Sequence, residues 1–440
     1  MRDQGQQASK VLLGALAAPL LFAIARKLTP GQPVYWDALG CVVFSVVGAV
    51  SLYYSRHTVN STISCVIWIW LLFQFLYALP GVVAVPYFPL FAFTIQAGPM
   101  LMIYAGYRGV RCVEDLDRIS FAGSLLAIAL LPAGFLVLCG KSDYLPAVLR
   151  ANDTLIEQSG DLRAGIPAFA GPFSTQAVAS LTFLSIAILI GASILARTSR
   201  NTHWRSPLLW TGFASCGALI YVSTRRGALL VYGITTIGMV LSLRHNRVRA
   251  IIMLVLIAML GAIMVRIGDS GSLNTGAEIG NRSELAKELD LGSRFGDVFL
   301  AFVRDWIGRS PFGSYLGNYS QAGNWCHTDI YYNSWAYVEV GAAELVAELG
   351  IAGLLLMPFV LLVIYRKIWV MTKGNVNAPC IRLMLVGAAG LFILYYCKEA
   401  SAFTAGYIHY GLFWCIPGFC LGIVHGNNYD RCIQRNVRLR

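Results

Sequence analysis

Charge is scarce in this sequence. Of its 440 residues 13% are Asp, Glu, Lys or Arg, about half the share of a soluble globular chain, so an ordinary soluble domain is excluded. Segments of alternating polarity are missing too. The apolar runs are continuous over about 16 to 20 residues, which rules out a transmembrane barrel. No P-loop, dinucleotide fingerprint, metal-binding His/Cys cluster or convincing serine or cysteine triad occurs, and no metal or cofactor is expected. An inverted internal repeat is also lacking. Almost no ionisable group lies near the centre of an apolar run, which argues against an ion-coupled carrier.

What is abundant is apolar surface. Hydrophobic residues make up 57% of the chain, and one bilayer crossing takes about 20 of them. The expected fold is an all-α polytopic integral membrane protein of about 12 transmembrane helices. Uncharged runs place the spans near 11–25, 38–54, 61–79, 90–107, 121–139, 177–196, 207–223, 228–243, 250–265, 345–365, 383–397 and 406–424. Arg26 and Lys27 follow the first run where a small-residue cleavage site would stand, so it reads as a retained span. The 11 cysteines lie mostly in apolar runs or tails and read as packing residues; Cys326 alone sits deep in a polar segment.

With both termini placed in the cytoplasm, twenty of the 34 lysines and arginines fall in cytoplasmic segments and five in the short outer loops. This asymmetry orients the chain and accounts for its formal charge of +12. The excess cation faces membrane lipids, and no nucleic-acid partner is needed. Six regions follow: helices 1–5 over 1–139, a long outer loop over 140–176, helices 6–9 over 177–266, a large outer loop over 267–343, helices 10–12 over 344–424 and a basic cytoplasmic tail over 425–440. Function is expected in the outer loops.

In the larger loop, Ser283 to Ile307 has helical periodicity. Phe295, Val298, Phe299, Phe302, Val303 and Trp306 form one stripe; Arg294, Asp297, Arg304 and Gly308 form the other. Such a helix can lie in the interface with its aromatic face toward lipid and its polar face toward a cavity. The run Gly308-Arg309-Ser310-Pro311-Phe312-Gly313 ends it. Residues 324–337 are rich in Trp, Tyr, Asn and Asp, a composition suited to stacking on sugar faces and bonding their hydroxyls.

Two arginines, Arg225 and Arg226, occupy the short outer turn Ser223-Thr224-Arg225-Arg226-Gly227-Ala228. They are either snorkelling anchors or a site for a phosphate or pyrophosphate, which guanidinium groups grip bidentately. Arg294 stands at the same interfacial depth, and a second cation there fits a lipid-anchored pyrophosphate. Glu344 and Glu348 sit four apart at the start of the tenth span, where acids favoured by the helix dipole are the preferred reading. His327 and Asp329 are loop candidates for a general base. Glu339 falls on the opposite helix face from Glu348 unless Gly341 breaks the helix.

Three segments together resemble the bacterial O-antigen polymerase (Wzy-type) and O-antigen ligase (WaaL-type) superfamily. Ser223 to Leu230 is similar to its Ser-Arg-Gly-Ala-Leu signature at a periplasmic span junction. Gly292-Ser293-Arg294, with Pro311-Phe312-Gly313 and Gly317-Asn318-Tyr319, resembles the arginine helix and glycine-rich turn of its periplasmic loop. Glu344 to Leu354 resembles its Glu-x-Gly-x-x-Gly motif. The resemblance implies a GT-C-like fold and a metal-independent inverting glycosyltransferase acting on undecaprenyl-pyrophosphate-linked glycans, donor and acceptor alike, at the periplasmic face of the bacterial inner membrane. It carries pyrophosphate binding to Arg226 and Arg294, with Arg225, Arg304, Arg309 and Tyr319 as further candidate substrate-binding residues.

Ligases of this family place a histidine near the position held here by Glu339. The base is therefore Glu339, His327 or a group elsewhere, and polymerisation of repeat units is preferred over ligation to lipid A core. A permease or flippase is the alternative from another class. Whether a chain-length regulator binds is left open.

Overall fold

The computed structural model describes residues 2–29, 33–55, 58–84, 88–149, 169–173, 176–198, 206–223, 226–243, 300–314, 316, 341–397 and 408–438. Among these residues every regular element is helical. Among the described residues nine helices are long and apolar enough to cross a membrane, and two shorter apolar ones accompany them. The chain is a polytopic α-helical membrane protein. Eleven of the twelve expected spans are matched by a helix; the run over 250–265 lies outside the described residues.

In chain order the helices are α1 (Arg2–Leu28), α2 (Pro33–Ser55), α3 (Ser61–Ala84), α4 (Phe88–Ala97), α5 (Met102–Gly109), α6 (Val113–Leu138), α7 (Gln176–Thr198), α8 (Ser206–Val222), α9 (Arg226–Ser242), α10 (Leu300–Arg309), α11 (Gly341–Met371), α12 (Ala378–Cys397) and α13 (Ile408–Arg438). One span is compound. A 3-10 turn over Gly98–Leu101 joins α4 to α5, and Pro99 within it has no N–H to return to the Ile95 carbonyl.

α7 is the axis of the bundle, buried along its whole apolar window, with α6, α8, α9, α12 and α13 packed around it. Outer helices present Val46, Trp68, Leu72, Leu355 and Leu362 outward, as lipid solvation permits. A second close seam joins α5 to α13. A Cβ on Gly418 would stand 2.1 Å from the Ile103 carbonyl oxygen, one on Gly422 1.9 Å from that of Val110, and one on Gly426 2.0 Å from that of Arg111. Three glycines at a four-residue interval let the two backbones touch, the small-residue packing that replaces a hydrophobic driving force inside a membrane. Gly418→Ala should therefore lower stability by about 1–3 kcal/mol, read as the shift in thermal unfolding of purified protein.

Several helix boundaries differ from the uncharged runs, for a common reason. α6 begins at Val113, taking in Glu114, Asp115, Asp117 and Arg118, and α11 begins at Gly341. Scanning for uncharged runs stops at the first charge, whereas a helix continues through a charge that the fold pairs or buries. Asp117 is such a case. It accepts from Arg197 Nη2 at 2.6 Å and from the Ser193 hydroxyl, tying α6 to α7. The expected basic tail over 425–440 likewise continues α13 as helix as far as Arg438.

Candidate functional site

The most irregular part of the described fold is the first third of α11. Residues Gly341 to Gly350 are all buried. At Gly350 the backbone takes φ 68° and ψ −166°, and the helix breaks, a conformation open essentially to glycine alone. The segment after α10 fills the gap. Ile351 N–H donates to the Pro311 carbonyl (3.2 Å), and the Ala347 carbonyl receives both the backbone N–H (3.0 Å) and the hydroxyl (2.9 Å) of Ser314. The backbone groups released by the break are thus engaged by the loop, as buried peptide groups require.

Contact at this junction is backbone to backbone. A Cβ on Gly350 would meet Phe312 C at 2.5 Å, and one on Gly313, itself at φ 77°, would meet Gly350 N at 2.5 Å. The loop also reaches α3, through Leu316 N–H to the Tyr77 carbonyl at 3.1 Å. The Pro311–Gly313 part of the second sequence segment and the 344–354 segment therefore form one interlocked unit; 292–294 and 317–319 lie outside the described residues.

α10 lies against the same half-helix. Trp306 packs with Ala342, Ala343, Val346 and Ala347, flanked by Val303 and Ile307. This corrects the expectation for the face of the loop helix: the part within α10 turns toward α11, where small alanine side chains leave room for an indole, and Arg304 faces outward. The expected turn is as read, since α10 ends at Arg309 and Ser310 N–H closes on the Trp306 carbonyl at 2.7 Å.

Glu344 lies in the first turn of α11, as the dipole reading has it, whereas Glu348 departs from that reading. Each is 2% exposed, and Glu348 lies beyond the first turn. Its Oε2 accepts from Gln96 Nε2 on α4 at 2.7 Å, and Gln96 Oε1 faces Gln74 Nε2 on α3 at 3.5 Å. Gln96 is 7% exposed and Gln74 3%. Glu344, one turn away, is within electrostatic reach of Tyr410 on α13. An ionisable group in this setting is costly, and such groups mark sites more often than plain packing. The scarcity of ionisable groups in the apolar runs thus did not extend to the bundle interior.

At another place in the bundle, Phe169–Phe173, the end of the first long loop, is seated on the arginine turn. Phe169 N–H donates to the Val222 carbonyl at 3.1 Å, and the Ser223 hydroxyl donates to the Phe169 carbonyl at 3.0 Å. Lys27 Nζ at the end of α1 donates to the Gly171 carbonyl. Val222 and Ser223 are thereby tied to the end of the first loop, which Lys27 holds in turn, and α9 opens at Arg226.

Of the expected site residues, Arg226 begins α9, Arg304 is exposed on α10 and Arg309 closes α10. Arg225, Arg294, Tyr319, His327 and Glu339 lie outside the described residues, as do Asp329 and Cys326. Sequence reasoning passed over Gln74 and Gln96 because a scan for charge does not register amides; a glutamine inside each of two apolar runs was the available signal. Among the described residues no group of three or more His, Cys, Asp and Glu is arranged to hold a metal ion. No protein-family model matches the chain, and no curated protein matches it.

Proposed function

We propose that this protein polymerises undecaprenyl-pyrophosphate-linked oligosaccharide repeats, as an inverting glycosyltransferase of the periplasmic face of the bacterial inner membrane. One observation supports the reading most. The turn Pro311-Phe312-Gly313 and the run Glu344 to Leu354, which resemble two separate motifs of the polymerase and ligase superfamily, are interlocked at Gly350. Segments that resemble one family piece by piece gain weight when they form one structural unit.

In the proposed reaction the donor is the growing glycan on its lipid pyrophosphate and the acceptor is a sugar hydroxyl of the incoming unit. The bond from the donor's anomeric carbon to the pyrophosphate oxygen breaks as that carbon bonds to the acceptor oxygen. Arg226 and Arg294 hold the departing lipid pyrophosphate and stabilise its developing charge, with Arg225, Arg304, Arg309 and Tyr319 binding the substrate around them. The acceptor proton passes to Glu339 or His327.

Purified protein incubated with a lipid-pyrophosphate-linked repeat unit, with and without lipid A core, tests this. A ladder of products on the polyprenyl lipid is the expected result. A single shift onto lipid A core would make the protein a ligase, and no new glycosidic bond from folded protein would move the reading to a permease or flippase. Arg226→Ala and Arg294→Ala should each lower polymerisation by 100-fold or more, about 2.7 kcal/mol or more of transition-state stabilisation, at unchanged protein level. Near-normal polymer from either variant would remove that residue from the site.

A further inference from the structure

Two helices depart from regular α geometry near the buried carboxylate of Glu348. α4 passes into its 3-10 turn immediately after Gln96-Ala97, at Gly98-Pro99, and the first part of α11 ends at Glu348-Leu349, before Gly350. The two polar side chains preceding these breaks meet each other at 2.7 Å. A buried carboxylate with oxygen side chains beside interrupted helices suits a cation at membrane depth.

A third observation points to an occupant. Gln74, 3% exposed, directs its Nε2 toward Gln96, while its Oε1 is buried with no hydrogen-bond partner among the described residues. The amides are arranged in one direction, Gln74 to Gln96 to Glu348, so that the chain begins at an acceptor with nothing to accept. A buried carbonyl oxygen left so carries a penalty of about 1–3 kcal/mol. A bound cation beside the carboxylate would remove it.

We propose that Glu348, Gln96 and Gln74 form a binding site for a small monovalent cation, with oxygen ligands supplied by Glu348 Oε1 or Oε2 and Gln74 Oε1. Hard oxygen donors of this kind suit an alkali cation, and sodium is the probe. The site ties α3, α4 and α11 together at the junction that also holds the 311–316 loop. It stands independently of glycosyl transfer, and its test reads stability.

The experiment is a thermal unfolding series on the purified full-length protein in detergent at constant pH, with sodium chloride replaced stepwise by choline chloride at fixed ionic strength. The wild type should show a saturable rise in midpoint of about 2–4 °C with sodium. Gln74→Met, which removes the orphan oxygen together with the Nε2 that faces Gln96 at 3.5 Å and leaves the charge unchanged, should abolish the rise. Glu348→Gln should abolish the rise as well. If Glu348→Gln does not yield folded protein, Gln74→Met alone decides. Equal wild-type midpoints at every sodium concentration would overturn the proposal, as would a sodium-dependent rise that persists undiminished in Gln74→Met.

Discussion

Replacing Gly350 with alanine is expected to destabilise the protein by about 4 kcal/mol. Two separate costs add. A φ of 68° with ψ of −166° is strained for any residue with a Cβ, at about 1–3 kcal/mol. The new methyl would also stand 2.5 Å from Phe312 C and 2.6 Å from the Pro311 carbonyl oxygen. Backbone atoms cannot swing aside as a flexible side chain can, and overpacking of this kind adds about 1–3 kcal/mol. The readout is the yield of monodisperse protein together with its thermal midpoint. Gly374→Ala is the control: its φ of 74° also favours glycine, yet no heavy atom lies within 4 Å of the added carbon. Equal losses in the two variants would show that conformational strain alone matters and that the loop does not press on α11.

The second large effect is expected at the buried ion pair between α6 and α7. Asp117 on α6 and Arg197 on α7 meet at 2.6 Å with side chains 10% and 11% exposed, and the Ser193 hydroxyl donates to the same carboxylate. Removing one partner leaves the other desolvated and uncompensated. Asp117→Ala should accordingly lower stability by about 3–5 kcal/mol, while the double replacement Asp117→Leu with Arg197→Met should recover most of the loss because no charge is then stranded. Both follow from the unfolding midpoints of the wild type, Asp117→Ala and the double variant. A loss below about 1 kcal/mol in Asp117→Ala would place the pair in the solvent-screened class of surface ion pairs.

These two positions show where reading along the chain was sufficient and where it was not. The scarcity of charge and the length of the apolar runs determine that the chain is a bundle of membrane helices, because in lipid each backbone polar group must be satisfied and the helix does so within one segment. The end of α10 at Gly308 to Gly313 was equally local, a matter of glycine and proline chemistry. Burial of charge was not local. Nothing in the run Val113 to Arg118 distinguishes Asp117, which faces Arg197 across two helices, from Glu114 at the same helix start.

The same holds at the candidate site. Glu344 and Glu348 are four apart in the sequence, and that spacing puts them on one face. Which face is buried depended on α3 and α4: Gln96 reaches Glu348 from 252 residues away along the chain, and Gln74 in turn faces Gln96. That the Pro311–Gly313 turn fits the break at Gly350 could not be read from either segment alone, since the need for glycine at both positions arises only where the two backbones cross. Sequence by itself determined the class of fold, the number of apolar runs and the segments worth comparing. Tertiary structure decided which polar groups lie inside the bundle and which segments interlock, because burial and close approach are properties of pairs of elements and a single run of residues does not carry them.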